Sequence, residues 1–302
     1  MALGNSRGGM SFKARYFPIT ARPLRMSAGL NRFGTDFGQA ERDREFFQVD
    51  GERARYLVAK RQAPAERRVF GTDHAASRRA RKAALAWMRD TLAREAPDVL
   101  VSAAHDRDAR DEFDALARSL QEDFCVLGAG EDYAGRAALI DVRFPSGWRP
   151  ERLRDASFLA THAPVPGFPG DAQAAQSMVR AMVERGPFVR FVWTLSPDAR
   201  LDRHPDLLGM ASWQRPEGVF LRVERQVTVP LKAADASLFL IRVYVYPFGE
   251  LTSDQQARTL AALAAMPDEI RAYKHLPNPA ELAALLALAK SLPAHAAEHA
   301  GS

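Results

Sequence analysis

Cysteine is nearly absent from this chain: Cys125 stands alone among 302 residues. Intramolecular disulfides and cysteine-built structural zinc are therefore excluded. Histidine is sparse too, and six of the seven (His74, His105, His204, His275, His295 and His299) lack ligand-like spacing. There is no His-Glu-x-x-His zinc helix, and Ser146 sits in no nucleophile elbow. No apolar run approaches the ~18 residues a membrane helix needs, because Arg242 interrupts the best stretch, residues 238–248. Residues 1–15 are polar and glycine-rich, so no secretory signal is expected and a cytoplasmic location is the default.

Other patterns start and fail. Gly128-Ala129-Gly130 is followed by Tyr133 where the dinucleotide fingerprint needs glycine, and a strand is predicted next, so direct nicotinamide binding is unsupported. Asp106, Asp108 and Asp111 evoke a calcium loop that Arg110 and a missing glycine break. Basic residues outnumber acidic ones, giving a formal charge of +5. With no reader motif and no aromatic–basic interleaving, nucleic acid is not the expected partner; the charge suits an anionic redox partner or cofactor equally well.

What is present reads as an α+β protein. The composition, 47% hydrophobic and 26% charged, is that of an ordinary globular chain, organised as a single domain over residues 1–302. The first thirty residues are irregular, broken by Pro18 and Pro23. The spacing predicts a helix over 74–95 capped by Asp73, then helices over 111–124 and 172–185. In the first of these, Arg78, Arg79, Arg81 and Lys82 form either a solvated face or a docking patch for an acidic electron donor. Strands are predicted over 125–128, 137–144, 188–195, 219–229 and 237–248, with helices again over 253–266, 267–273 and 279–291. Five central strands without regular strand–helix alternation argue against a doubly wound sheet. The last two long strands, separated by residues 230–236, are expected to return antiparallel.

Alternation in those strands sorts the polar residues. In 219–229 the odd positions are apolar apart from Arg225, while Arg222, Glu224 and Gln226 occupy the even face. In 237–248, Arg242 shares a face with Leu238, Leu240, Tyr244 and Tyr246. If the faces align, Arg222, Glu224, Arg242 and Tyr244 line one site; otherwise this is a sheet face with cross-strand ion pairs. His162 precedes Pro164 and Pro166, which predict a stiff, extended segment of the kind that holds an imidazole on a metal. A hydrogen-bonded structural histidine is the other reading. Cys125 is a rival ligand, but it opens an apolar strand with nothing beside it to stabilise a thiolate.

Three phrases, in order, carry a family resemblance: Phe-Pro-Ser-Gly-Trp at 144–148, Thr-His-Ala-Pro-Val-Pro at 161–166 and Leu-Arg-Val-Glu-Arg-Gln at 221–226. They are followed by Ile-Arg-Val-Tyr at 241–244 and Ala-Tyr-Lys at 272–274. Together they resemble the alpha subunits of haem-dependent oxidative N-demethylases. The likeness runs from Arg32-Phe33-Gly34 to Lys274 and includes Gln121-Glu122-Asp123. It implies a PAS-like antiparallel sheet of about five strands at 121–248, flanked by N- and C-terminal helices, holding haem b. It implies O2-dependent oxidation of an N-methyl group of a small amine to formaldehyde. Electrons would come from a separate NAD(P)H-dependent reductase, since the chain has no flavin, ferredoxin or nicotinamide motif. A haem-binding sensor or carrier without turnover is the alternative, and a haem-free scaffold a third reading.

On this resemblance His162 is the iron ligand, with Arg222 or Arg242 as propionate clamp and Trp148 and Gln226 beside the cofactor. Glu224 is the group that holds a dialkylammonium or relays protons, with Tyr244 beside it as a catalytic partner and Tyr246 a further aromatic face. Two departures bear on the substrate. Val192 stands where relatives often carry asparagine, and the turn from Val227 to Leu231 differs.

Overall fold

The computed structural model describes residues 14–20, 29–130, 135–168, 170–207, 212–214 and 216–291. Tyr133, His295, His299 and the tail after Pro293 fall outside these, as do residues 1–13 and 21–28 of the irregular N-terminal segment. Among the described residues no helix is long and apolar enough to cross a membrane.

Twelve-residue strands β6 (Phe220–Leu231) and β7 (Ala236–Pro247) form the predicted antiparallel hairpin. Its return turns on Asp235, in the left-handed region at φ 48°, and a Cβ at Gly130 would press on the Asp235 carboxylate at 3.0 Å. On one side of the hairpin lies β5 (Phe188–Ser196); on the other lie β3 (Glu122–Gly128) and β4 (Ala137–Asp141). The sheet has seven antiparallel strands, not the expected five or so, in the order β1-β5-β6-β7-β3-β4-β2. The additions are β1 (Asn31–Arg32) and β2 (Arg68–Phe70), edge strands too short to leave a two-residue period.

One sheet face is covered by helices. Against β3 and the far halves of β6 and β7 pack α2 (Ala75–Glu95), α3 (Pro97–Ala104) and α4 (Glu112–Ser119). The extended segment 14–20 and helices α7 (Ser253–Ala264), α8 (Asp268–Tyr273) and α9 (Pro279–Ser291) pack against the other half. Helices α1 (Arg53–Gln62) and α3 had no clear apolar stripe and escaped the sequence reading. Two helix ends also shift. Helix α2 is capped by His74, leaving Asp73 to pair with Arg78 (2.8 Å) and Arg81 (2.7 Å) on a solvated face. Helix α4 stops at Ser119, because residues 122–124 are already in β3.

A polar seam separates the two apolar cores. Arg242 bonds Asp50 at 3.0 Å and stacks 3.9 Å from the Tyr56 ring centroid, while Arg225 donates to the Glu45 carbonyl at 2.8 Å. The Gln121-Glu122-Asp123 phrase fixes the seam's register. Gln121 bonds Asp50, Glu122 accepts from the Gln48 amide at 2.7 Å, and Asp123 accepts from Lys60 at 2.5 Å and the Phe144 amide at 2.8 Å. Lys60 and Asp123 are both fully buried, so removing either leaves an uncompensated charge inside the fold. Lys60→Met alone should cost about 3–5 kcal/mol of unfolding free energy. Lys60→Met with Asp123→Leu should cost clearly less, and urea denaturation of both variants measures the difference.

Candidate functional site

The opposite sheet face is not closed. Cys125, Leu127, Arg190, Val192, Glu224, Gln226 and Phe239 all project there and stay half-buried. Over it stand Trp148, packed against Ile140, Val142 and Ile241, and the short helix α5 (Phe158–His162). Helix α6 (Ala172–Glu184) braces α5 through Phe158, Val179 and Met182. Gly135, at φ 69°, lets α5 approach; its carbonyl accepts from the Phe158 amide at 2.5 Å, and a Cβ there would press on Phe158 at 3.3 Å.

His162 lies at the end of α5, and the extended segment predicted around it is not formed. Ala163 stays helical (φ −51°, ψ −36°) although Pro164 follows. The pre-proline bias is overridden by the Ser157 cap on the Ala160 amide, by Thr161 bonding the Ser157 carbonyl, and by a turn from Val165 back to His162. His162 Nδ1 lies 2.8 Å from the Phe158 carbonyl oxygen. A carbonyl only accepts, so Nδ1 carries the proton and the Nε2 lone pair is left unprotonated. Imidazoles that bind metals are commonly held in the same way, with the other ring nitrogen donating to a carbonyl. The ring is wedged between Phe158 and Phe168 (centroids 4.1 and 5.0 Å), and burial, helped by nearby Arg190, lowers its pKa.

The strand register divides the other expected residues. Glu224 pairs with Val243 and Arg222 with Val245, whereas Arg242 pairs with Arg225 and Tyr244 with Val223. Arg242 and Tyr244 therefore lie on the helix-covered face, away from Glu224 and His162. Tyr244 Oη bonds Gln48 at 3.3 Å and its ring stacks on Tyr246. These three residues are built into the polar seam and the core beside it. The expected single cluster of Arg222, Glu224, Arg242 and Tyr244 is thus corrected to two faces.

Arg222 does share the open face, but as a fully buried strut. Its Nε donates to Ser146 Oγ at 2.8 Å, and its other nitrogens donate to the Leu201 and Phe144 carbonyls at 2.9 Å each. Ser146 Oγ donates in turn to Glu224 Oε1, and Gln226 Nε2 donates to Oε2 at 2.8 Å. The Glu224 carboxylate is thus clamped by two neutral donors. Cys125 lines the face, but burial pushes its thiol pKa far up, so a thiolate ligand is disfavoured.

Three residues were missed. Arg190, on β5 opposite Gln226, lies close enough to Glu224 and Tyr273 for both to act on its charge. Lys274 donates to the Trp193 carbonyl at 2.6 Å; burial lowers its pKa to about 8, against the opposing pull of Glu224. Tyr273 stands beside it at the site's rim. The signal was there in the Ala-Tyr-Lys phrase at 272–274, but no periodicity connects it to a strand 80 residues earlier. A cavity of about 40 Å³, room for water, lies between the 146–147 turn and Lys274, lined also by Thr194, Trp213 and Arg222.

The depressed His162 pKa fixes a sign. Above its ordinary value of 6.5 the ring is neutral, folded or unfolded, and adds nothing to pH dependence. As pH falls below that, the unfolded chain takes the proton first and the native state loses ground. The His162 proton resonances should titrate with a midpoint below 6.5 in NMR. The urea midpoint of wild type should fall more steeply from pH 7 to 5 than that of His162→Gln.

The open face thus gathers a neutral imidazole with an unprotonated Nε2, a clamped carboxylate and an apolar patch of Leu127, Val192 and Phe239. Residues 41–283 match the family model described as haem-dependent oxidative N-demethylase, alpha subunit-like. The match covers most of the sequence, every strand but β1, and both the His162 and Glu224 phrases, and the chain belongs to that family.

Proposed function

We propose that the chain binds haem b on the open sheet face through His162 Nε2 and oxidises an N-methyl group of a small amine. The observation that carries this reading is the His162–Phe158 hydrogen bond beside a half-buried sheet face on which Leu127, Val192 and Phe239 form an apolar patch. It leaves one neutral imidazole nitrogen for iron and a surface for a flat macrocycle. We read residues 121–248 as the PAS-like haem-binding core, with strands β4-β3-β7-β6-β5 as its sheet.

When bound, haem iron supplies activation of O2, so that an N-methyl carbon leaves as formaldehyde. The protein's residues do the rest. Trp148, Phe239 and Leu127 exclude water from the floor, and Phe158 and Phe168 hold the His162 ring. Glu224, clamped by Ser146 and Gln226, accepts a proton from the ammonium or holds it by charge. Arg222 acts at one remove, by fixing Ser146. Tyr244 and Arg242 have no part in the chemistry on this reading. Electrons reach the site from a separate NAD(P)H-dependent reductase, and the protein works in the cytoplasm without nucleic-acid or membrane partners.

Purified protein should show a stoichiometric Soret band that His162→Ala abolishes or strongly shifts; an unchanged band in that variant refutes the ligand. Glu224→Gln should keep haem uptake and lower formaldehyde formation from methylated amines by about 100-fold or more. Full haem loading without amine-dependent formaldehyde in the wild type, reductase supplied, would instead fit a sensor or carrier.

A further inference from the structure

The buried arginines of β6 and β7 are committed. Arg222 serves four acceptors, Arg225 the carbonyls of Glu45 and Phe46, and Arg242 Asp50 and the Val243 carbonyl. Arg190 makes no hydrogen bond or ion pair among the described residues, and its buried Nε has no partner. It projects onto the open face beside Gln226, within electrostatic reach of His162, Glu224 and Lys274. A buried guanidinium nitrogen without an acceptor is costly to maintain unless something else supplies one.

The charge balance says what that something is. Around the site stand three cations, Arg190, Lys274 and the buried Arg222, and a single carboxylate, Glu224. A bare ammonium ligand would be attracted by one group and repelled by three. A ligand carboxylate would neutralise the excess, and its two oxygens match the guanidinium fork.

We propose that Arg190 is the anion-binding residue of this site and pairs with a carboxylate carried by the bound ligand. The inference rests on the haem reading above. Two sources offer the same chemistry: a haem propionate, or the carboxylate of an N-methylated amino acid bound with its amine toward Glu224. With the propionate as partner, Arg190 takes the clamp role expected of Arg222 or Arg242.

The test compares wild type, Arg190→Gln and Arg190→Lys. Each apoprotein is titrated, by Soret absorbance, with haem b and with haem b dimethyl ester. The loaded proteins are then titrated with dimethylamine and with N,N-dimethylglycine. If the propionate is the partner, wild type prefers the free acid to the diester at least tenfold, Arg190→Gln loses that preference, and Arg190→Lys keeps part of it. If the substrate carboxylate is the partner, the two haems bind alike. N,N-dimethylglycine then binds at least tenfold tighter than dimethylamine, and only in proteins with a cation at position 190. In either case the thermal midpoint of Arg190→Gln should be unchanged or raised, because an unpaired charge has been removed.

Arg190→Gln that discriminates as wild type does overturns the proposal. So does a lowered midpoint without loss of discrimination, which would mark a structural arginine. If wild type takes up no haem, the haem reading fails first. Calorimetry of the haem-free protein with N,N-dimethylglycine then decides Arg190 alone: binding lost in Arg190→Gln sustains it, and no binding by wild type overturns it.

Discussion

The in-register pairing of β6 with β7 is the constraint on which the rest depends. Twelve consecutive pairs, from Phe220 with Pro247 to Leu231 with Ala236, decide which side chains meet. A slip of one residue would exchange the two faces of either strand. With the observed register, Arg225, Arg242 and Tyr244 go beneath the helices, while Arg222, Glu224 and Gln226 go to the open face. The former set becomes part of the scaffold and the latter lines the candidate site, although both come from adjacent phrases of the chain.

Buried charge then holds this arrangement in place from both sides. On the helix side, Arg242, Glu122, Asp50 and Gln48 knit segment 43–50 to the sheet between two apolar cores. On the open side, Arg222 ties β6 to the carbonyls of Phe144 and Leu201 and, through Ser146, to Glu224. Asp123 connects the two sides, since one carboxylate serves Lys60 of α1 and the Phe144 amide at the head of the site loop. Such buried polar contacts add modest net stability, but each is costly to break, which makes the geometry specific. The Phe-Pro-Ser-Gly-Trp phrase is the place where these constraints meet.

Much of the fold was legible. The alternation in β6 and β7 identified both strands to within one or two residues, and helices α6 and α7–α9 were placed to within about two residues at either end. The α+β class followed from them. Helices α1 and α3 and strands β1 and β2 were not legible, being short or lacking a regular stripe; packing against neighbours forms them. The site was legible in part. His162, Glu224, Gln226 and Trp148 were named from phrases, and they do surround one sheet face. Arg242 and Tyr244 were misplaced because alternation assigns a residue to a face of its own strand but leaves the pairing of faces open. Arg190 was passed over because an arginine in an apolar strand looks the same whether or not it has a partner.

By itself the sequence determined the secondary structure of the long elements, the exclusion of disulfides and cysteine-based zinc, and, through its phrases, the family. Those features rest on local propensity, composition and short-range spacing, all readable along one dimension. Tertiary structure alone decided that Arg222, Arg225 and Arg242 find acceptors while Arg190 makes no hydrogen bond among the described residues. It also decided that Ala163 stays helical before a proline, and that Lys274 arrives beside Glu224 from the far end of the chain. Each of these depends on groups distant in sequence, whose hydrogen bonds and desolvation exist only once the sheet has formed and the helices have closed one of its faces.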